Sequence, residues 1–252
     1  MSMLDRENGI RIYYEVHGSG PTVLLTHGYS ATSAMWKSNI AALSQHCRLI
    51  LWDMRGHGQS DSPDDPAAYS EETIVGDISA LLGVCGAEQA IIGGHSLGGY
   101  MSLAFRLAHP ERVKALMLVD TGPGFRKDQP REVWNRRAQM TAHALETKGL
   151  EALGRSAEVL ASQHRSAQGL AHAARGMLAQ SDARVIDSLG SITVPTLVLA
   201  GANDEPFLAG TDYMAGKIPG ASKVIIPNAG HAPNLDQPET FNQAVLAFLA
   251  RI

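Results

Sequence analysis

One serine lies between two glycines where a strongly apolar segment gives way to a helix-like one. Residues 94–98 read GHSLG, directly after the apolar run Ala90–Gly94 and directly before the helical pattern of Leu97–Ala108. A strand that turns at once into a helix forces the residue at the turn into a strained conformation. Side chains two positions away on either side would then collide. The stretch predicts that the Ser96 hydroxyl projects above the end of a buried strand.

Short apolar runs bounded by Gly, Pro, Asp or Asn recur along the chain and are typical of strands. They are Ile10–Val16, Thr22–Thr26, Arg48–Asp53, Ala90–Gly94, Ala115–Asp120, Thr196–Gly201 and Lys223–Pro227. The later runs are almost continuously apolar, as in strands covered on both faces. Helical patterns lie between them, at Ser33–Gln45, Glu71–Val84, Leu97–Ala108, Pro206–Lys217 and Pro238–Ala250. This alternation predicts an α/β fold with a mostly parallel central sheet and helices on both faces.

The interval between Asp120 and Thr196 contains no strand-like run and is rich in Ala, Arg, Gln and Met. Its apolar residues recur at helical spacing, and structureless loops of that length are rare in compact domains. We therefore expect a helical cap at residues 122–190, inserted into a core made of residues 1–121 and 191–252. The alternative is a helical subdomain that only adds bulk.

Composition excludes several classes of protein. The 252 residues are 44% hydrophobic and 18% charged, an ordinary globular balance. A net charge of -4 leaves no positive excess to neutralise phosphates, so we expect no nucleic-acid partner. The polar N-terminus and the lack of a stretch of about 20 apolar residues predict no membrane association and a cytoplasmic protein. Cys47 and Cys85 form no CxxC pair, so both are interpreted as buried small hydrophobes.

A serine hydroxyl becomes a useful nucleophile only beside a base that is itself held in place. Asp204 follows the apolar run Thr196–Gly201, and His231 follows the last run. The order Ser96, Asp204, His231 is the one expected when strand ends surround a single site. Asp120 also ends a strand and is the alternative acid.

Acyl transfer also needs N–H donors for a developing oxyanion. The segment Thr26–Tyr29 reads THGY after an apolar strand, so the backbone N–H of Tyr29 is one candidate donor. The N–H of Leu97, at a helix N-terminus, is the other. We expect Gly28 to permit the turn and Gly230 to allow close approach beside His231.

At this point the chain resembles the α/β-hydrolase superfamily, from about Ile10 to Phe248. The elbow at Ser96, the pair His27-Gly28, residues 53–60 (DMRGHGQS), the Gly201–Asp204 turn and Gly230-His231 stand in the family order. The segment Gly230–Phe241 is similar to that of esterases and enol-lactonases. Serine at position 96 argues against the haloalkane dehalogenase and epoxide hydrolase branches, which use aspartate there.

The resemblance implies a serine hydrolase that cleaves a carboxylic ester or lactone through an acyl-enzyme on Ser96, without a cofactor. Two rival activities would use the same three residues, C–C bond hydrolysis and cofactor-free perhydrolysis. A ligand-sensing receptor with slow turnover is a rival from another class. We expect a small-molecule ester or lactone as the partner, and a monomer or homodimer.

The remaining histidines have structural interpretations. By the same analogy His27 supports the oxyanion loop, His57 braces its loop together with Asp53 and Arg55, and His95 packs behind the elbow. Three others lie on presumed helices without the i, i+4 pairing that binds zinc, so no metal site is predicted. They are His143, His164 and His172.

Specificity is the least determined feature. Leu, Met and aromatic residues of the cap, with Trp134 and Met140 as candidate substrate contacts, favour an apolar pocket. Four arginines could instead meet an acidic substrate, although a charged helical face is usually solvated. They are Arg126, Arg131, Arg136 and Arg137.

Overall fold

The computed structural model describes residues 2–252, and its strands form a single sheet. They are β1 (Ser2–Asp5), β2 (Arg11–His17), β3 (Thr22–Thr26), β4 (Arg48–Trp52), β5 (Ala90–His95), β6 (Val113–Val119), β7 (Thr196–Gly201) and β8 (Ser222–Ile226). The eight strands lie in the order β1-β2-β4-β3-β5-β6-β7-β8. Pairs β1–β2 and β2–β4 are antiparallel and all other neighbours are parallel, which confirms the mostly parallel sheet.

Helices alternate with the strands from β3 onward. They are α1 (Lys37–Leu43), α2 (Glu71–Val84), α3 (Leu97–Ala108), α4 (Asp128–Lys148), α5 (Ala157–Leu160), α6 (Ala167–Ala173), α7 (Arg184–Ser188), α8 (Glu205–Lys217), α9 (Pro233–Asp236) and α10 (Pro238–Leu249). A turn of π-helix, Ala174–Leu178, continues α6. Short 3-10 turns complete the connections, at Glu7–Gly9, Ser33–Trp36, Pro66–Ala68, Pro110–Arg112, Gly149–Ala152 and Leu189–Ser191.

Both faces of the sheet are buried, because successive side chains of a strand point to opposite faces. Leu24, Ile50 and Ile92 belong to one core, which also includes residues of α2, α3 and α8. Val23 and Ile91, adjacent to them in sequence, belong to the other core, with residues of α1 and α10. Helices therefore cover both faces, as expected, and this explains why the strands read as continuous apolar runs.

Within the first 45 residues, two elements differ from the sequence-based expectation by more than a shift of one or two residues in their bounds. Strand β1 was not anticipated, because its side chains are mostly exposed and it pairs only with β2 at the sheet edge. The helix expected over Ser33–Gln45 divides into the 3-10 turn Ser33–Trp36 and the shorter helix α1. Neither difference alters the strand ends at which the candidate site lies.

Residues 122–190, here called the inserted segment, run from the end of β6 to the turn before β7 and contain α4 to α7. Helix α4 packs against α6 through a small buried cluster that includes Ala142, Leu145 and Leu170. Among residues 2–252, none of the helices combines the length and the apolar character that crossing a membrane requires. Cys47 is buried as expected, whereas Cys85 is only half-buried.

Candidate active site

Ser96 lies at the turn between β5 and α3 and has a left-handed backbone conformation, with φ at 51° and ψ at -116°. A Cβ atom placed on Gly94 would lie 2.4 Å from the carbonyl carbon of Gly98. One placed on Gly98 would lie 2.3 Å from the carbonyl oxygen of Thr26. Gly94 therefore allows β5 and α3 to approach each other, which is the steric reason anticipated from the GHSLG pattern, whereas Gly98 allows α3 to approach the end of the neighbouring strand β3.

Asp204 follows β7 and His231 follows β8, and the structure brings their side chains together. His231 Nδ1 lies 2.7 Å from Asp204 Oδ2, and Asp204 is buried. Because an ionised carboxylate only accepts hydrogen bonds, Nδ1 carries the hydrogen and Nε2 keeps a free lone pair. The Phe207 ring packs on the His231 ring at a centroid distance of 4.6 Å and also lines the cavity at Ser96.

Asp120, the alternative acid, lies behind this pair at the end of β6. It is fully buried, and its Oδ1 accepts the N–H of Gly201 at 2.9 Å, whereas its Oδ2 has no hydrogen-bond partner. Side-chain atoms of Asp120, Asp204 and His231 lie within 4.8 Å of one another. Burial, reinforced by the neighbouring Asp204 carboxylate, raises the pKa of Asp120 to about 9.

The loop after β3, which carries Tyr29, packs directly on the elbow. A Cβ atom on Gly28 would lie 2.5 Å from His95 Nδ1 and 3.3 Å from Ser96 Cβ. Gly28 is therefore required for close packing of the loop on the elbow rather than for a left-handed backbone, which occurs at Ser30 with φ at 57°. Leu97 is the first residue of α3, so its N–H has no partner within the helix.

A second glycine expectation also needs correction. A Cβ atom on Gly230 would meet nothing closer than 3.5 Å, whereas one on Gly201 would lie 2.1 Å from the carbonyl oxygen of Gly230. The close approach beside His231 is thus made by Gly201 at the end of β7. Gly230 instead donates its N–H to Asp236 at 2.8 Å.

Two buried histidines have the structural role expected. His27 Nε2 accepts the N–H of Met54 at 2.9 Å, so its Nδ1–H donates to the Gly28 carbonyl at 2.7 Å. Burial lowers the pKa of His27 to about 4 and that of His57 well below its usual value. His57 Nδ1 donates to the carbonyl of Arg55 at 3.0 Å. Both rings are therefore neutral braces of their loops.

Charged hydrogen bonds fix the loop that follows β4. Asp53 accepts the N–H groups of Ser33 at 2.7 Å and Gln59 at 2.8 Å. Arg55 makes two bonds to the buried Asp77 of α2, at 2.7 and 2.9 Å. These contacts agree with the bracing interpretation of Asp53 and Arg55.

His95 does more than pack behind the elbow. Its Nε2 lies 2.5 Å from the backbone carbonyl of His231, and the two rings meet edge to face at 4.6 Å. Burial keeps the pKa of His95 well below its usual value, so the neutral ring donates to that carbonyl. The only sequence signal for this contact was adjacency to Ser96.

His164 lies in a loop between α5 and α6, although a helical position was expected. Its Nε2 donates to the Ser30 carbonyl at 3.0 Å, and its Nδ1 accepts the N–H of Gly58 at 3.3 Å. His172 is buried on α6, with Gln168 as its partner at 3.0 Å, and His143 is exposed on α4.

A cavity of about 310 Å³ opens at Ser96. Its apolar walls come from both the core and the inserted segment, with Leu97, Phe125, Trp134, Leu178 and Phe207 among them. The structure brings Trp134 to this cavity, with its indole N–H donating to the Leu178 carbonyl at 2.7 Å.

Met140 was expected beside the substrate, but the structure places it elsewhere. It is 72% exposed and lines a separate surface depression with His143 and Lys148. Six residues further along α4 than Trp134, its side chain leaves the helix on a different side. The polar residues Gln180 and Arg137 line the cavity instead. Sequence gave no reason to select Gln180, and it did not separate Arg137 from the other cap arginines.

Residues 23–244 match the alpha/beta hydrolase family. The chain is 31% identical to a pimeloyl-[acyl-carrier protein] methyl ester esterase of Nitrosomonas europaea, over 91% of this chain and 96% of that protein. It is 29% identical to a putative 2-succinyl-6-hydroxy-2,4-cyclohexadiene-1-carboxylate synthase of Bacillus subtilis, over 97% of both. A thermophilic esterase from Thermogutta terrifontis has a similar structure, with a TM-score of 0.85 at 28% identity over 99% of this chain and 98% of that one.

The family match covers the elbow, both candidate acids and His231, and the similar structure spans nearly the whole fold. This protein is therefore an enzyme of the alpha/beta hydrolase family.

Proposed function

We propose that the protein hydrolyses a carboxylic ester or lactone through an acyl-enzyme formed on Ser96. The observation that carries the proposal is the 2.7 Å contact between His231 Nδ1 and Asp204, together with the left-handed elbow that holds Ser96 at the end of β5. A nucleophile, a base with a free Nε2 and a carboxylate that orients the base are what acyl transfer needs.

In this mechanism Ser96 Oγ attacks the substrate carbonyl while its proton passes to His231 Nε2. The N–H groups of Tyr29 and Leu97 stabilise the oxyanion of the tetrahedral intermediate. Collapse of this intermediate breaks the bond to the alcohol, which leaves with the proton from His231. Water, deprotonated by His231, then attacks the acyl-enzyme. Collapse of the second tetrahedral intermediate breaks its bond to Ser96 Oγ, which takes the proton from His231 as the acid is released.

The reaction needs no cofactor, because the side chains themselves supply the nucleophile, the base and the charge stabilisation. A monomer or homodimer that acts on a small molecule in the cytoplasm stays a prediction. So does a role of residues 122–190 as a cap over the site.

Replacement of the nucleophile tests the proposal. Ser96→Ala should remove hydrolysis of p-nitrophenyl esters to below about a thousandth of the parental rate, as triad removal does elsewhere. Ser102→Ala is the matched control, because Ser102 is a buried serine of α3, the helix that follows Ser96, and donates to the Gly98 carbonyl. Mass spectrometry of the acid-quenched parental enzyme should show one acyl group on the peptide that contains Ser96. A Ser96→Ala variant that still hydrolyses these esters would contradict the proposal.

Assays of the same purified protein with other substrates distinguish the rival activities. A C–C bond hydrolase would prefer a ring-fission diketone, and a perhydrolase would show peroxide-dependent halogenation. A receptor would rearrange on ligand binding with negligible turnover. A dedicated enzyme should favour its own substrate by more than the roughly tenfold to two-hundredfold that one methylene group supplies.

A further inference from the structure

The cavity at Ser96 contains two polar side chains that the proposed reaction does not use. Other polar side chains in its wall are already paired: Tyr100 donates to Glu71 at 2.9 Å, and Thr121 donates to the Ser96 carbonyl at 2.6 Å. Gln180 and Arg137 differ, because neither side chain has a hydrogen-bond partner in the part of the chain that the structure describes. They are therefore the groups left to recognise a substrate.

Gln180 is nine-tenths buried, and its Oε1 has no hydrogen-bond donor. Its backbone is held firmly, since Gln180 N donates to Asn135 Oδ1 and Asn135 Nδ2 donates to the Gln180 carbonyl, each at 2.8 Å. The side-chain oxygen faces Gly124, where an added Cβ would approach it to 2.9 Å. Buried amides are normally satisfied. Because the two ends of an amide exchange on rotation, Gln180 can offer either an acceptor or an N–H donor here.

Arg137 is exposed at the rim of the cavity and is the only charged residue in its lining. The other arginines of α4 have carboxylate neighbours: Arg131 pairs with Asp128, and Arg136 lies 4.0 Å from Glu132. Outside α4, Arg126 pairs with Asp187 at 2.7 Å. Arg137 has no carboxylate partner among residues 2–252 and also borders an outer depression of about 440 Å³ beside Trp134. The cavity thus has a single positive charge at its mouth and no acidic side chain in its lining.

We propose that the cavity binds an acyl group that ends in a carboxylate, with Arg137 and the Gln180 amide as the binding groups. This inference rests on the proposed acyl transfer at Ser96. The substrate class is a half-ester of a short dicarboxylic acid, or a lactone that carries a carboxylate. Between the reacting carbonyl and the terminal carboxylate of this acyl group, a short methylene chain would pack on the apolar wall of Leu97, Trp134 and Phe207.

Two arguments assign this cavity to the acyl part rather than to the alcohol. The acyl group stays on Ser96 until the second chemical step, so a cavity lined by Ser96 suits it, whereas the alcohol must leave after the first step. A volume of about 310 Å³ also lies at the small end of ligand pockets. That size favours a short chain, whose carboxylate would then reach the rim.

The test compares two esters of the same shape. The p-nitrophenyl monoester of glutaric acid has a terminal carboxylate, and p-nitrophenyl 5-methylhexanoate has two methyl groups in place of its two oxygens. The parental enzyme should prefer the charged ester by about tenfold or more in kcat/KM, which corresponds to one charge-assisted hydrogen bond. The preference should weaken at high ionic strength, because the guanidinium lies at an exposed rim.

Arg137→Gln should abolish most of this preference by raising KM for the charged ester, and it should change kcat/KM for the neutral ester much less. Arg136→Gln, its neighbour on α4, is the matched control and should keep the preference. Gln180→Glu places a carboxylate beside that of the substrate and should lower kcat/KM for the charged ester further, whereas Gln180→Leu should lower it less. The inference is overturned if the parent hydrolyses both esters equally, or if Arg136→Gln and Arg137→Gln have equal effects.

A binding measurement separates this inference from the proposed function. Monomethyl glutarate should bind to Ser96→Ala in calorimetry, and at least about tenfold more weakly once Arg137→Gln is added. Binding that depends on Arg137, without hydrolysis of any ester, would overturn the proposed function and support the anion site. Ester hydrolysis that depends on Ser96, without binding that depends on Arg137, would overturn only the anion site.

Discussion

At the scale of single residues, two carboxyl groups lie close together at the ends of β6 and β7, and only Asp204 makes a hydrogen bond to His231. Asp120 is the buried neighbour whose pKa is raised to about 9. We expect Asp120→Asn to be nearly silent in kcat/KM, because an amide is as neutral as the protonated carboxyl group and its oxygen can keep the hydrogen bond from the Gly201 N–H. Asp204→Asn should cost orders of magnitude, because it leaves His231 in the wrong tautomer. The reverse ranking would make Asp120 the acid.

Asp120 should also make stability depend on pH. An unfolded Asp titrates near 3.9, so between about pH 4 and 9 the folded protein binds a proton that the unfolded chain lacks. Because the folded protein holds this extra proton, the free energy of unfolding falls as pH rises, by at most about 1.4 kcal/mol per pH unit. Asp120→Asn removes this dependence, so the variant should gain stability relative to the parent from pH 5 to pH 8 in urea unfolding. A stability difference that stays constant over this range would mean that Asp120 is ionised.

At the scale of elements, the inserted segment holds the loop that carries the Tyr29 amide. The Tyr29 hydroxyl donates to the Leu170 carbonyl of α6 at 2.9 Å, and His164 donates to the carbonyl of the next residue, Ser30, at 3.0 Å. Tyr29→Phe keeps the ring but removes the hydrogen bond to the Leu170 carbonyl. We expect kcat to fall about fivefold, the worth of one hydrogen bond, with KM nearly unchanged.

The control for this effect is Tyr69→Phe. The Tyr69 hydroxyl likewise donates to a backbone carbonyl, that of Pro63, at 2.9 Å, but Tyr69 lies outside the loop that carries the proposed oxyanion donor. Equal kcat values for the two variants would show that the tie to α6 does not position the Tyr29 amide.

At the scale of the whole molecule, the cavity at Ser96 exists only because the inserted segment faces the core. For neutral p-nitrophenyl esters, each methylene that fits should gain up to about 0.8 kcal/mol until the chain meets the far wall. The value of kcat/KM should therefore rise from acetate, pass an optimum at short to medium chains and collapse before laurate. Trp134→Ala should move the optimum to longer chains, whereas Met140→Ala, an exposed change on the same helix, should not. A monotonic rise through laurate would mean an open groove.

Local sequence patterns predicted much of the architecture. Glycine spacing predicted the elbow because steric exclusion acts within five residues, and the continuous apolar runs predicted strands covered on both faces. Helices α2 and α3 and strands β3 and β7 have the bounds that their patterns indicated. The chain order of Ser96, Asp204 and His231 indicated one site, because the carboxyl ends of parallel strands meet at one edge of a sheet.

Only the tertiary structure decided which side chains share a space. Asp120 and Asp204 both follow strands. In the fold Asp204 makes the hydrogen bond to His231, whereas burial raises the pKa of Asp120. Trp134 faces the cavity and Met140 faces solvent, although both were expected at the substrate. Gln180 reaches the cavity from an irregular stretch that has no periodicity to interpret. Periodicity reports burial along one segment, whereas a cavity is formed by segments that are distant in sequence, so its lining depends on how those segments pack.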